Sequence, residues 1–347
     1  MSTPRRTITS VLTGALTIAL VVLLPRAVGT NWSTVGTLLG HLSLPAIALL
    51  AVVWIAGLWS HSFVLAASLP GLTKRRGLTL SLTGSAVANV LPLGGAAGTG
   101  LNFAMTRRWG FTSAAFAGFL AVTTLINVLA KLGVIAVALA LAPIVNAATA
   151  LPIGHTSILP VGRAGVLLVP VLVALAGVFW FLASERAAAS AGRVLDRAFS
   201  RVLGRVLRRV RRRGDLERSL PALRTSVLDV FRGGWRPMTG GMVAYLLLQL
   251  ALLWLCFRLL GTSLSLPVLI TGLAVERLLT LIPITPGGAG VVEVGTVAAL
   301  VAMGVDPAAV TAGIVLFRGF TYLLEIPVGG VTLACWLLVN RKPAVAA

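Results

Sequence analysis

Two stretches interrupt apolar sequence in the same manner: Leu91-Pro92-Leu93-Gly94-Gly95-Ala96-Ala97-Gly98 and Ile282-Pro283-Ile284-Thr285-Pro286-Gly287-Gly288-Ala289-Gly290. Proline withdraws an amide donor and glycine tolerates backbone angles closed to other residues, so each stretch breaks a helix. Irregular backbone at membrane depth survives only where protein buries it or a watery cavity receives it. Two such breaks, in corresponding places of two halves, point to a transporter's binding site.

The surrounding sequence is apolar enough for that setting. Hydrophobic residues make up 57% and charged residues 11%, against about 25% charged in a soluble domain, and the mean hydropathy is +0.98. Residues 8–24, 44–69, 111–141, 165–183, 239–260 and 308–339 each approach or exceed the roughly 17–25 residues needed to span. Runs 78–106 and 266–303 carry the breaks. The net charge of +20 does not imply nucleic acid, because the arginines gather beside apolar spans and no nucleic-acid module accompanies them. Anionic lipid head groups are the partners such a distribution fits. Cys256 and Cys335 fall inside spans, so reduced, buried thiols are expected. Arg5 and Arg6 before an apolar run resemble a secretory signal, but Pro25-Arg26 stands where a small-residue cleavage site would, which indicates an uncleaved first helix.

Lys and Arg also set an orientation. Arg5/Arg6, Lys74/Arg75/Arg76, Arg107/Arg108, the Arg-rich stretch 186–236 and Arg341/Lys342 are assigned to the cytoplasm, with both termini there. Segment 78–106 then enters and leaves on one side, as two half-helices meeting at the break, and 266–303 enters from the other side. An internal repeat agrees. Trp109-Gly110-Phe111-Thr112-Ser113-Ala114-Ala115 matches Met303-Gly304-Val305-Asp306-Pro307-Ala308-Ala309 at an offset of 194, with Thr112 and Asp306 placed as N-caps. Each half reads helix, helix, broken hairpin, long helix. The expected fold is an all-α polytopic membrane protein with an inverted-topology repeat, about six full transmembrane helices and two broken re-entrant hairpins. Its parts are residues 1–145 with hairpin 78–106, an outer loop and helix over 146–183, a cytoplasmic Arg-rich segment 184–236, residues 237–340 with hairpin 266–303, and a tail 341–347. Within 184–236, Arg193, Arg197, Arg201, Arg205 and Arg208/Arg209 recur near helical spacing, and Leu195, Ala198, Val202, Val206 and Val210 offer an apolar stripe. They fit either an amphipathic helix on the inner leaflet or a solvated loop that only fixes orientation.

Ionisable residues inside spans need partners. Lys131 lies well inside 111–141, and Glu276, Arg277, Glu293, Arg318 and Glu325 lie in the second half. The repeat maps Lys131 onto Glu325, so the two are expected to pair near a pseudo-two-fold axis. Gly287, Gly288 and Gly290, with Thr285 beside them, suggest exposed amides at a half-helix N-terminus that could receive a phosphate or carboxylate, with Arg277 and Arg318 as counter-charges. The plainer readings are a buried ion-pair network, glycines that only allow close packing, and Glu293 answering the positive helix end. The first break has neutral company: Asn89, Asn102 and Asn127, with Thr99, Thr123 and Thr124. His41, His61 and His155 lack ligand spacing, so neither metal nor cofactor is expected.

The run Pro283-x-Thr-Pro-Gly-Gly-x-Gly-x-x-Glu293, then Gly304 and Leu316-Phe317-Arg318, resembles the lysylphosphatidylglycerol synthase transmembrane-region family, over about residues 10 to 338. That family includes the flippase-like membrane domain of bacterial multiple peptide resistance factors. The resemblance implies a flippase in the bacterial cytoplasmic membrane, moving an anionic or polyprenyl-linked lipid. Where the family's first half carries an acid, an Arg and an acid-Arg pair, this chain has Thr99, Asn102 and Thr123/Thr124. With no aminoacyltransferase domain after residue 347, a lipid-synthesising partner enzyme is expected to supply the substrate, and homo-oligomers are compatible with the sequence. Two other readings stand beside this one: a membrane enzyme acting on lipid-linked substrates, and an accessory or scaffold subunit of an envelope-lipid assembly. The enzyme reading is disfavoured because the nine acidic residues form no paired motif facing water, so no catalytic residue is assigned.

Overall fold

A computed structural model of the chain describes residues 19, 22–91, 94–149, 161–184, 186, 215–281 and 285–340. Among these, the regular elements are helices: α1 Trp32–Gly40, α2 Leu44–Ser68, α3 Lys74–Val90, α4 Gly94–Arg108, α5 Ser113–Thr149, α6 Val161–Ala183, α7 Asp215–Leu259, α8 Leu266–Leu279, α9 Val291–Ala302, α10 Pro307–Arg318 and α11 Glu325–Val339. A 3-10 turn at Pro286–Gly288 precedes α9, and a π-helical turn at Gly319–Leu323 joins α10 to α11. Four stretches are long and apolar enough to cross a membrane: Leu44–Ser68, Ser113–Pro143, Val227–Leu259 and Pro307–Val339. The protein is therefore all-α and of membrane type. Of the other expected spans, 8–24 lies mostly outside the described residues, and 165–183 falls within the 23 residues of α6.

The helix ends follow from local chemistry. Thr112 Oγ1 accepts from the Ala115 amide (3.1 Å) and Asp306 Oδ1 from the Ala309 amide (2.9 Å), so both expected N-caps form. The turns before them use Gly110 and Gly304 at φ 91° and 82°, where a Cβ would be strained. Residues 215–236 of the Arg-rich segment are helical and run without interruption into the following span as α7. Charge marks where apolar sequence stops, whereas helix continues wherever backbone bonding and propensity allow. The proposed amphipathic arginines 193–208 lie outside the described residues.

Packing relates the two halves reciprocally. Helices α2 and α7 share the most extensive contact, α3 packs against α11, and α8 packs against α5. The first arm of each broken segment thus lies against the long helix of the opposite half. Small residues permit this closeness, as is usual between membrane helices. A Cβ on Gly241 of α7 would lie 2.9 Å from the Ser60 carbonyl of α2, and one on Gly329 of α11 would overlap the Leu82 carbonyl of α3. Helices α3 and α4 form an antiparallel pair, since a Cβ on Gly98 would come within 2.6 Å of the Gly84 carbonyl. Gly272 faces Leu300 and Gly295 faces Leu279, which makes α8 and α9 antiparallel as well.

One end of the bundle is basic and aromatic. Arg76 sits over the Trp109 ring and Arg108 over Trp336, those two indoles meet edge to face at 6.5 Å, and Arg108 also bonds the Asn340 carbonyl. The start of α3, the end of α4 and the end of α11 therefore share a level, with the amphipathic rings and cations typical of a membrane interface. Of the two cysteines, Cys256 is buried, whereas Cys335 is exposed on α11, contrary to expectation. An outward-facing thiol behaves as a small apolar group that lipid accommodates.

Candidate functional site

The second break gathers the charges. Glu276 ends the buried face of α8, Glu293 stands in the first turn of α9 and Arg318 closes α10; all three are buried. Arg318 Nε donates to Glu293 Oε1 at 2.7 Å, its Nη2 to the Gly287 carbonyl at 3.1 Å, and its Nη1 lies 3.7 Å from Glu276 Oε1. Glu276 also faces Arg277, with Nε 3.3 Å from Oε2. Two acids and two guanidinium groups thus form a chain of ion pairs with no net charge. Desolvating such groups is costly, and mutual pairing offsets much of it.

The backbone at the break is shaped by glycine. Gly287, Gly288 and Gly290 have φ of 57°, 74° and 82°, a left-handed series that β-carbons would strain. Thr285, also buried, closes the loop by donating from Oγ1 to the Ala289 carbonyl at 2.8 Å. Of the three glycines expected to offer exposed amides, Gly287 is exposed, whereas Gly288 and Gly290 are buried with their amides engaged. The Gly290 amide donates to Glu293 Oε2 at 2.6 Å, and those of Gly288 and Ala289 donate to the Thr285 and Pro286 carbonyls. The anion at this helix N-terminus is the chain's own Glu293, three residues on, as in a capping box.

Lys131 and Glu325 do not meet, contrary to the pairing expected from the repeat. Lys131 Nζ donates to Thr280 Oγ1 at 3.1 Å, at the end of α8. Glu325, at the start of α11, lies near Ser85 of α3 and Trp54 of α2. Each charge thus stands beside the first arm of the opposite half's broken segment, α8 for Lys131 and α3 for Glu325. Among the described residues, Lys131 forms no ion pair with a carboxylate.

Asn89 joins the two breaks. Its Nδ2 donates to the Tyr322 carbonyl at 3.3 Å, while the Tyr322 hydroxyl donates to the Asn89 carbonyl at 2.9 Å and lies 3.2 Å from the Pro286 carbonyl. Asn127 only donates to the Thr123 carbonyl of its own helix (2.8 Å). Asn102 packs its amide over Gly84, between α3 and α4, away from the ion pairs. Sequence reasoning missed Tyr322, Tyr245, Thr280 and Ser85. A usable signal existed for the first two, because the chain has just two tyrosines and each underlies a site arginine. Arg318 stands 4.8 Å from the Tyr322 ring centroid and Arg277 stands 6.0 Å from that of Tyr245, within cation–π range.

Beside this site runs an apolar groove of about 460 Å³, walled by Ile126, Ala130 and Val134 of α5, Met242 and Leu246 of α7, and Leu273 of α8. Lys131 is one position along α5 from Ala130. A family model described as lysylphosphatidylglycerol synthase TM region matches residues 10–329. No curated protein matches the chain significantly.

Proposed function

The chain belongs to the lysylphosphatidylglycerol synthase transmembrane-region family, and on that premise we propose that it carries a lipid with an anionic or polyprenyl-linked head group across the bacterial cytoplasmic membrane. The observation that carries this reading is Lys131, a half-buried ammonium group in a membrane-type helix whose described polar partner is a neutral threonine hydroxyl. Such a charge costs about 2.5–3.5 kcal/mol on insertion scales, and the described ion pairs do not offset it. A lipid phosphate would. The neighbouring apolar groove suits acyl or prenyl chains, and the Arg318 and Arg277 ion pairs could exchange a carboxylate for a phosphate as the head group passes.

In this reading the basic, aromatic end of the bundle faces the cytoplasm. The two broken segments, each leaning on the other half's long helix, are the elements that alternate in exposure. The reaction is transport rather than catalysis, and a separate enzyme makes the lipid. The test is a proteoliposome assay that follows transbilayer movement of phosphatidylglycerol and of a polyprenyl phosphate. Acceleration by the wild-type chain, lost in Lys131→Gln, supports the proposal; no acceleration of either lipid overturns it.

A further inference from the structure

The three glutamates around the second break are not alike. Glu276 faces Arg277 and Arg318, and Glu293 holds Arg318 at 2.7 Å, whereas Glu325 enters no ion pair among the described residues. It stands half-buried near the middle of the apolar stretch Pro307–Val339. Its surroundings from α3 and α2 are the neutral Ser85 and Trp54. The charged and titratable groups around it are Arg318 of α10, Arg277 of α8 and Tyr245 of α7, and both guanidinium groups already serve Glu276 and Glu293. An ionised carboxylate so placed is costly, and a protonated one is neutral.

Two further relationships give that choice of state a consequence. Glu325 follows directly on the π-helical turn Gly319–Leu323, whose Tyr322 fastens the arms beside both breaks, so charge at this carboxyl acts on the turn that ties them. Ser85 also lines an open cavity of about 260 Å³ between α2, α3, α4 and α5, where His61 is the one titratable lining residue. At about 30 Å³ per water, such a space admits several waters and gives a proton access to the neighbourhood of the carboxyl.

Lys131 is the counterpart of Glu325, 194 positions earlier. It too lies near the middle of an apolar stretch, Ser113–Pro143, and outside the described ion pairs. With no lipid bound, the ammonium and an ionised Glu325 sum to zero. A monoanionic head group at Lys131 leaves one negative charge in excess, which the low-dielectric interior penalises. A proton on Glu325 restores the balance.

We propose that Glu325 is a proton-binding site and that one proton travels with each monoanionic lipid. The step is a proton transfer: a carboxylate oxygen takes a proton from water on one side and returns it to water on the other, with no other bond made or broken. The coupling rests on the transport reading, whereas proton binding at Glu325 is measurable without it.

The first readout is infrared spectroscopy of the full chain in lipid nanodiscs, titrated with acid. A protonated-carboxyl carbonyl band that grows in the wild type and is missing from Glu325→Gln is expected; identical spectra overturn the proposal. The second uses proteoliposomes with a trace of labelled phosphatidylglycerol. Under a gradient of about one pH unit, one proton per lipid gathers the label in the leaflet facing the alkaline side, up to about tenfold over the other. Glu325→Gln should abolish this shift and Glu325→Asp, which keeps the carboxyl, should restore it. A potassium diffusion potential alone should leave the wild-type distribution unchanged, because the step carries no net charge. Wild-type movement that ignores the pH gradient, or a shift that persists in Glu325→Gln, overturns the proposal and leaves the transport reading standing. No movement of phosphatidylglycerol or of a polyprenyl phosphate overturns the transport reading and the coupling with it, and the infrared band then decides proton binding by itself.

Discussion

Tyr322 and Asn89 are bonded to each other in both directions across 233 positions of sequence: the hydroxyl of one donates to the backbone carbonyl of the other, and the amide of the other donates back. Tyr322 stands in the π-helical turn and also reaches Pro286, so one side chain fastens the last helix to the arms beside both breaks. π turns are frequent at functional positions because the altered register redirects side chains.

Removing that hydroxyl isolates its contribution. Tyr322→Phe keeps the ring beneath Arg318 but leaves the Asn89 carbonyl without its described donor. The expected loss is about 1 kcal/mol, the usual net worth of a hydrogen bond whose acceptor is part-buried. A lowered denaturation midpoint in detergent, at unchanged helicity, checks it.

The ion-pair chain predicts strong coupling. Arg318→Gln leaves Glu276 and Glu293 buried without their shared cation, a change expected to cost about 3–5 kcal/mol. The double variant Arg318→Gln/Glu293→Gln should be more stable than Arg318→Gln alone. A double-mutant cycle in detergent should yield an interaction energy of at least about 1 kcal/mol. Additive effects would mean that the two residues do not interact as the 2.7 Å bond indicates.

Much of this was legible from the residues, for reasons of length and period. A 25-residue apolar run such as 44–68 has few alternatives to a spanning helix. Thr112 and Asp306 could be placed because capping is local chemistry, settled within four residues. The partners of Lys131 and Glu325 were not legible. A repeat offset says which residues are equivalent, not how far each lies from the symmetry axis, and equivalents meet only on that axis. The Thr280 hydroxyl takes the Lys131 contact instead, and nothing local in the sequence marks it. The Gly290 amide was a nearer miss, since an acid three positions after a helix N-cap is a recognised capping pattern.

Adjacent glycines in α11 give a paired test of the packing between halves. A methyl group on Gly329 would overlap the Leu82 carbonyl and press on Ala86, whereas Gly330 has nothing within 4 Å of its Cβ position. Gly329→Ala should destabilise by about 1–3 kcal/mol through overpacking. Gly330→Ala should be neutral or stabilise by up to about 1 kcal/mol through helix propensity. Thermal unfolding of both variants in one detergent gives the comparison, and equal midpoints would contradict the close approach of α11 to α3.

Lys131 separates function from stability most cleanly. If its charge were there to hold the bundle together, Lys131→Gln should unfold the protein more easily. The described partner is only the Thr280 hydroxyl, which glutamine can also satisfy. Loss of an unpaired charge from a membrane-spanning helix removes a penalty of about 2.5–3.5 kcal/mol, so the denaturation midpoint should stay constant or rise. Transport of phosphatidylglycerol in proteoliposomes should fall at least about tenfold, the equivalent of about 1.4 kcal/mol. Functional groups commonly show this opposition, in which the native residue costs stability that activity requires. A variant that lost stability yet transported normally would make Lys131 a structural residue and remove the observation on which the transport proposal stands.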